Sequence, residues 1–404
     1  MRFCLAIPTY WTYPELDQPT EVIYDHPTPL NTTGTLRRTL ESLAPLVQES
    51  IPVVVVAAST ASPLDLAVHQ QVQALIESPP LPYPVLFFSP RHLALLKEFV
   101  AIHGQEEWLS LLSLTGYSQV RNITLILANI LSSEILVSLD DDEIICDPDF
   151  LTKISRDFAV LSKDHPIFGL GGLYQNQDGS ILVPEPTPAW AAHWLKIPWM
   201  NAALQELMLP EPPLKKTALA LGGNMSLSAD LFRMLPFDPA ITRGEDVDYV
   251  LNARIFQIPF FIDHNLLVTH APPEKPHPLW LRLRQDLQRF RYTRRKLRGQ
   301  IPGSGLMAVK PDDLQPYPGN FLGDDLEIRA YRAHTLLALE YLSRGDTLAA
   351  QETLKNLIMT SPENESPNAW ATYLKVVKRW QALQSWLAQK ERAAALRQTL
   401  WGHS

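Results

Sequence analysis

The segment EILVSLDDDE (residues 134–143) runs from an apolar, β-branched pattern straight into three consecutive aspartates, Asp140, Asp141 and Asp142. Just upstream, VRNITLILANILSS (120–133) carries apolar residues at helical spacing, so the acids close a helix-to-strand unit. The same alternation extends back to the first residues. RFCLAIPT (2–9), IPVVVVAAST (51–60) and PVLFFSP (84–90) read as buried strands, while TLRRTLESLAPLV (35–47) and LDLAVHQQVQALIES (64–78) read as helices. Strands alternating with helices predict an α/β fold, a Rossmann-like mixed, mainly parallel sheet with helices on both faces. In such sheets ligands bind beyond the carboxyl ends of the strands, and the aspartates fall at one of those ends.

Composition narrows the classes. The chain has 404 residues, 46% hydrophobic and 19% charged, the balance of a packed globular protein. A formal net charge of −8 argues against nucleic acid as a partner. Cys4 and Cys146 are the only cysteines, too few for a disulfide framework or a cysteine-rich zinc site, so a reducing cytoplasm is the expected location. MRFCLAIPTYWTYPE lacks the apolar core of a signal peptide, and no stretch offers about 18 uninterrupted apolar residues.

From about residue 166 the pattern changes. FGLGGLYQNQDGSILVPEP (168–186) predicts a hairpin turning at Asp178-Gly179. PAWAAHWLKIPWM (188–200) predicts a loop or short helices over the site. GEDVDYVLNARIF (244–256) suits a helix, and FFIDHNLLVTH (260–270) a strand ending at His270. The proline-rich APPEKPHP (271–278) then marks a boundary between a catalytic domain, 1–275, and an all-α C-terminal region, 276–404. That region starts with the basic WLRLRQDLQRFRYTRRKLRG (280–299), passes through a Gly/Pro-rich connector at 300–323, and finishes in helices at 325–344, 347–359 and 367–398. RGDTLAAQETLKNLIMTSPENESPNAW (344–370) has the pattern of one helix–turn–helix unit.

Each acidic motif has a chemical and a plain structural reading. Asp140 and Asp142 share a face of an extended segment, and two converging carboxylates bind a hard divalent cation; the alternative is a solvated acidic loop or a helix cap. Glu245 and Asp246 open a helix, where the macrodipole favours acids; alternatively one serves as general base or anchors an acceptor hydroxyl. His270 ends a strand, with His264 on the same face by alternation, and a neutral imidazole there either packs structurally or completes a manganese or magnesium site. Gly222 and Gly223 before Asn224 let backbone approach a ligand, and Arg121 with Asn122 either contact a phosphate or sugar hydroxyl or simply begin a helix. The cations at 280–299 suit a phosphate-rich ligand, an anionic membrane surface, or pairing with acids of the chain, and docking onto the catalytic domain is expected over membrane insertion.

The order of these motifs carries more than any one of them. A strand ending in Pro8-Thr9, G-x-x-x-x-R-N at 116–122, D-x-D at 140–142, GGN-x-S at 222–226, GED-x-D at 244–248 and a strand ending in His270 together resemble the GT-A glycosyltransferases. The nearest branch is the family 2-like group that includes mannosylglycerate and glucosyl-3-phosphoglycerate synthases. The resemblance covers residues 1–275 and RFRY (289–292). It implies a hexosyltransferase that moves a sugar from a nucleotide-diphosphate sugar to an acceptor hydroxyl with Mn2+ or Mg2+, with retention favoured over inversion. By position it implies that Pro8, Thr9, Arg121, Asp140, Asp141 and Gly223 bind the donor. Asp140, Asp142 and His270 would hold the metal, and Glu245, Asp246 and Asn224 would act at the reacting centre.

One departure concerns the base. The second strand ends Ala57-Ala58-Ser59-Thr60, without the acid many relatives place there to recognise base or ribose. YDHPTPLNTTG (24–34) is also long, and a flap over the donor is the expectation for it. The expected acceptor is a hydroxyl-bearing, anionic or phosphorylated small molecule; peripheral membrane contact and homo-oligomer formation stay open. Two other classes remain: a nucleotidyltransferase, which usually carries a Gly-rich basic loop that LAIPTYWTYPELDQPTEV lacks, and a non-catalytic nucleotide-sugar or partner-binding protein.

Overall fold

In the computed structural model, residues 1–15, 18–47, 51–274, 276–303, 305–358 and 368–402 are described. The strands are β1 (Phe3–Thr12), β2 (Thr28–Pro29), β3 (Val53–Ser59), β4 (Val85–Phe88), β5 (Ile135–Ser138), β6 (Glu143–Ile144), β7 (Gly169–Gln175), β8 (Leu214–Lys216), β9 (Met225–Ser228) and β10 (Phe260–His270). They form one sheet in the order β4-β3-β1-β5-β9-β7-β10-β6, with β2 beside β1 and β8 beside β10. β4, β3, β1 and β5 run parallel, β9 is antiparallel to both of its neighbours, and β10 is parallel to β7. The mixed, mainly parallel sheet expected from the sequence is therefore present.

Both faces of this sheet are covered, which explains the near-continuous apolar strands. Val54 and Val56 face one core with Ala6, Ile123 and Leu127, whereas Val53 and Val55 face the other with Leu5, Ile7, Leu40 and Val68. The covering helices are α1 (Leu36–Ser42), α2 (Asp65–Glu77), α3 (Pro90–Ile102), α4 (Tyr117–Ile130), α5 (Phe150–Leu161), α6 (Lys196–Leu207), α7 (Ala229–Met234) and α8 (Glu245–Ile255). The C-terminal helices are α9 (Leu279–Gly299), α10 (Leu326–Ser343), α11 (Thr347–Ile358), α12 (Ala369–Leu387) and α13 (Lys390–Trp401).

Two expectations change. The turn at Asp178-Gly179 forms, with the Asn176 N–H donating to Ser180 O at 2.7 Å, but no returning strand follows because β9 and β10 already occupy both edges of β7. The helix expected at 367–398 is two helices, broken where Gln389 turns extended (φ −65°, ψ 124°). The break lets α13 fold back so that Trp401 Nε1 donates to Phe87 O at 2.9 Å. α3, for which no element is expected above, is started by Ser89 with Pro90 at its first position. The turn of the unit at 344–370 falls on residues 359–367, outside the described residues.

α9 docks against the sheet domain. Leu283, Leu287, Phe290 and Leu297 are buried, and its cations meet acids of the same chain. Lys296 Nζ lies 2.7 Å from Asp238 and 2.8 Å from Asp248, Arg284 lies 2.9 Å from Glu352, and Arg294 pairs with Glu327. Among the described residues no helix is long and apolar enough to cross a membrane.

Candidate active site

Beyond the carboxyl ends of β5 and β10 the sheet opens into a cleft of about 460 Å³. The three aspartates leave β5 in different directions. Asp141 turns back, accepting from Thr9 Oγ1 at 2.5 Å while its carbonyl accepts from Thr39 Oγ1 at 2.8 Å. Burial and neighbouring Asp142 push its carboxyl well above the usual range. Asp140 faces the cleft, 2.6 Å from Arg121 Nη2 and 3.4 Å from the Tyr174 hydroxyl. Asp142 is buried, and its Oδ2 accepts no hydrogen bond.

Strand pairing brings the histidine to Asp142. β6 pairs antiparallel with β10, setting Glu143 opposite His270, and the Ala271 N–H donates to Asp142 O at 3.0 Å. His270 Nε2 then lies 3.6 Å from Asp142 Oδ2, and its ring stacks on Tyr174. His26, from the segment before β2, stands at 3.6 Å from the same oxygen. Burial alone would raise Asp142, but the two imidazoles outweigh it and hold the carboxyl below its usual value. The donor atoms of His26, Asp142 and His270 lie within 4.8 Å of one another, as do those of Asp140, Asp142 and Glu143. Glu143 is buried, and its Oε2 accepts the Asp140 backbone N–H at 2.9 Å. Its Oε1 would lie 2.1 Å from a Cβ on Gly223, so the glycine makes room for a carboxylate.

Arg121 joins this end of the cleft to α8. It is almost fully buried and reaches Ser138 Oγ at 2.7 Å and Glu245 at 3.3 Å as well as Asp140. α8 begins after Gly244, whose φ of 71° is left-handed. Burial and Asp246 push Glu245 up to about 7 against the pull of Arg121. Asp246 is fixed by backbone donors, Val247 N at 2.7 Å and Gly222 N at 3.1 Å.

The rest of the lining is cationic. Lys196, Arg243 and Arg289 converge on buried Asp286 at 2.7, 3.9 and 3.3 Å, and Arg243 also pairs with Asp25 at 2.7 Å. These three cations overcome burial to hold Asp286 down at about 2. Burial and the two arginines bring Lys196 down to about 7 despite Asp286.

Arg121, Asp140, Glu245, Asp246 and His270 line one cleft. Asp142, Gly223 and Thr9 do not line it: Asp142 is buried beside His26 and His270, Gly223 lies beside Glu143, and Thr9 bonds Asp141. Asn224 points elsewhere: its amide donates to Leu173 O at 3.2 Å and Leu266 O at 3.0 Å, tying β7 to β10, and it does not line the cleft. Pro8 pairs with Val56 inside the sheet and does not line it either. Asn122 bonds the backbone of Phe237 through both amide atoms, and His264 sits in an irregular stretch of β10 between Ile262 and Leu267, which cancels its parity with His270. Sequence reasoning missed His26, Lys196, Arg243 as a cleft cation, and the Asp286–Arg289 pair. The length of the 24–34 segment was the one signal toward His26. Acids do approach the end of β3, though not from residues 57–60: Asp65 accepts from Ser59 Oγ at 2.5 Å and Glu21 from Ser62 Oγ at 2.7 Å, around a separate cavity of about 120 Å³.

No protein-family profile and no curated protein matches this chain. Solved structures are similar to it. A mannosyltransferase of Pyrobaculum calidifontis, PcManGT, in complex with GDP-Man and Mn2+, is 14% identical over 100% of this chain and 88% of its own, with a TM-score of 0.43. S. aureus TarS 1-349 is 14% identical over 95% and 90%, with a TM-score of 0.42. Glucosyl-3-phosphoglycerate synthase of Mycobacterium tuberculosis, in complex with Mg2+ and UDP, is 14% identical over 72% and 78%, with a TM-score of 0.37. At this identity and these scores the likeness assigns no chemistry to this chain.

Proposed function

We propose that the chain is a metal-dependent glycosyltransferase that moves a sugar from a nucleotide-diphosphate sugar to an acceptor hydroxyl. One observation carries this reading: a buried carboxylate oxygen without a hydrogen-bond partner, Asp142 Oδ2, lies 3.6 Å from the imidazole of His270, which lines a cleft together with Glu245 and Asp246. A buried anionic oxygen left unpaired is costly, and a divalent cation relieves it. Asp140, Asp142 and His270 would hold Mn2+ or Mg2+. When bound, the ion supplies Lewis-acid neutralisation of charge developing on the leaving diphosphate.

The side chains divide the remaining work. Arg121, ion-paired on both sides, fixes Asp140 and Glu245 relative to each other. Thr9 holds Asp141 out of the cleft. Asp246 accepts a backbone N–H on each oxygen, which suits an anchor for a sugar or acceptor hydroxyl better than a general base. Retention of configuration, which requires no protein base, is the stereochemistry proposed. Lys196, Arg243 and Arg289 suit the anionic group of the acceptor, since all three line the cleft and share one carboxylate, Asp286.

Thermal unfolding with UDP-, GDP- and ADP-sugars, each with and without Mn2+, tests the reading, because a ligand of the folded state raises apparent stability with occupancy. A Mn2+-dependent shift that Asp142→Ala abolishes is expected, followed by detection of the transferred sugar and its anomeric configuration by NMR. No metal-dependent shift with any nucleotide sugar would refute it.

A further inference from the structure

We propose that His26 is itself a metal ligand, so that Asp142 binds the ion between two imidazoles; this rests on the metal-dependent reading above. The arrangement is symmetric: His26 Nε2 and His270 Nε2 each lie 3.6 Å from Asp142 Oδ2. That separation is within ion-pair distance but too long for a hydrogen bond, so the carboxylate oxygen lies between two imidazoles without a hydrogen bond to either. Donors bound to one ion at about 2.1 Å stand about 3 Å apart when adjacent and about 4.2 Å when opposite. The three donor atoms here lie within 4.8 Å of one another, so shifts of fractions of an ångström bring them onto one ion.

The backbone presents His26 deliberately. On one side β2 pairs with β1, Thr28 opposite Trp11. On the other, the buried Tyr24 hydroxyl donates to Leu114 O at 3.2 Å and accepts from Gly116 N at 3.0 Å. Between them the Asp25 carboxylate pairs with Arg243 at 2.7 Å. The expected flap is thus anchored at both ends, with its one histidine at the cleft beside Asp142.

The donor set has a consequence for selectivity. Mg2+ prefers oxygen ligands and gives up water reluctantly, whereas imidazole nitrogen suits later first-row ions better. With His26 added to Asp140, Asp142 and His270, the second imidazole shifts the preference from Mg2+ toward Mn2+ or Co2+.

Pulsed EPR of the full chain loaded with Mn2+ counts coupled imidazole nitrogens directly. Two are expected in the wild type and one in each of His26→Gln and His270→Gln. Free-Mn2+ EPR titrations should show His26→Gln weakening Mn2+ by at least about tenfold. Competition with Mg2+ should show the preference for Mn2+ falling. His26→Asp should restore Mn2+ affinity with one coupled nitrogen and move the preference toward Mg2+, a change that a merely structural histidine would not produce. Melting of each variant in EDTA checks that the fold is intact. One nitrogen in the wild type, with His26→Gln leaving affinity unchanged, overturns the role of His26 while the glycosyltransferase reading stands. No bound Mn2+ in the wild type overturns both.

Discussion

Lys296→Ala removes the cation that fastens α9 to the helix carrying Glu245 and Asp246. Lys296 is fully buried, and its ammonium sits 2.7 Å from Asp238 and 2.8 Å from Asp248, which are 2% and 4% exposed. Removing one partner of such a pair leaves buried charge uncompensated and costs about 3–5 kcal/mol. With an unfolding entropy of about 2.1 cal/mol/K per residue over the whole chain, the melting temperature should fall by about 4–6 °C. The loss should also depend on pH with a definite sign. Burial already raises Asp248 above the usual carboxylate range with the lysine present, and without it the carboxyl rises further. A carboxyl whose folded pKa exceeds its unfolded value contributes its stability below about pH 4 and loses it as pH climbs through the folded value. The deficit against wild type should therefore be widest at about pH 8 and shrink toward about pH 5. Calorimetric melting at both pH values measures this, and Lys296→Met with Asp238→Asn and Asp248→Asn should recover most of the loss. A variant that melts within about 1 °C of wild type at the higher pH, or whose deficit grows on acidification, would show that the pair is not what locks α9 in place.

Asn224→Ala should destabilise the fold by about 1–3 kcal/mol through two orphaned carbonyls, yet leave Mn2+ affinity intact; urea unfolding beside an EPR titration separates these, and lost affinity at unchanged stability would return Asn224 to the reacting centre. Gly223→Ala places a Cβ 2.1 Å from Glu143 Oε1 and must displace the carboxylate that receives the Asp140 N–H, so Mn2+-dependent nucleotide binding should weaken by about tenfold or more in calorimetric titration. Glu245, raised to about 7, contributes stability below about pH 4.3 and loses it as pH rises through 7, so Glu245→Gln should gain melting temperature over wild type in alkaline buffer and gain little in acid; the reverse order would contradict the burial-driven shift. Lys196→Met removes a charge-assisted donor worth about 1.5–3 kcal/mol, so KM for an anionic acceptor should rise by about tenfold to a hundredfold with kcat nearly kept, whereas equal loss in both would place Lys196 at the reacting centre.

How much was legible follows from how local each cause is. Val53 to Val56 are buried alternately on two cores, and that burial is written directly in the unbroken apolar run of β3. The D-x-D stretch and the acidic start of α8 are likewise short-range patterns, read without knowledge of the rest of the chain. α3 also has a local signal, since Ser89 and Pro90 are helix-start residues that close the apolar run of β4. Other features have no local trace beyond the length of the 24–34 segment. The direction of the Asn224 amide depends on carbonyls of β7 and β10, and on Gly172, whose missing Cβ would lie 2.4 Å from Nδ2. His26 meets Asp142 only because β2 pairs with β1, and Lys196, Arg243 and Arg289 meet only because α6, the loop before α8, and α9 converge on Asp286.

That convergence bears on how the two regions share the work. The boundary expected between residues 275 and 276 does not separate two cores, since one core cluster holds Ile123 and Phe232 together with Leu287, Trp380 and Leu396. Trp380 Nε1 donates to Phe232 O at 2.9 Å, and the Tyr373 hydroxyl to Pro236 O at 2.9 Å, so removing residues 276–404 would bare large aromatics and leave Asp238 and Asp248 without Lys296. The contributions to the site are not evenly divided, however. Asp140, Asp142, His26 and His270 all precede residue 275, whereas Asp286 and Arg289 come from α9. Gly244 ties the two sets, because a Cβ there would fall 1.5 Å from Arg289 Nη1, directly beside Glu245. Exchanging α9 residues at the cleft should therefore alter which acceptor is held while leaving metal and donor binding in place. Metal titration of an Asp286→Asn variant distinguishes this division from a site that behaves as one block, in which metal affinity would fall with acceptor binding.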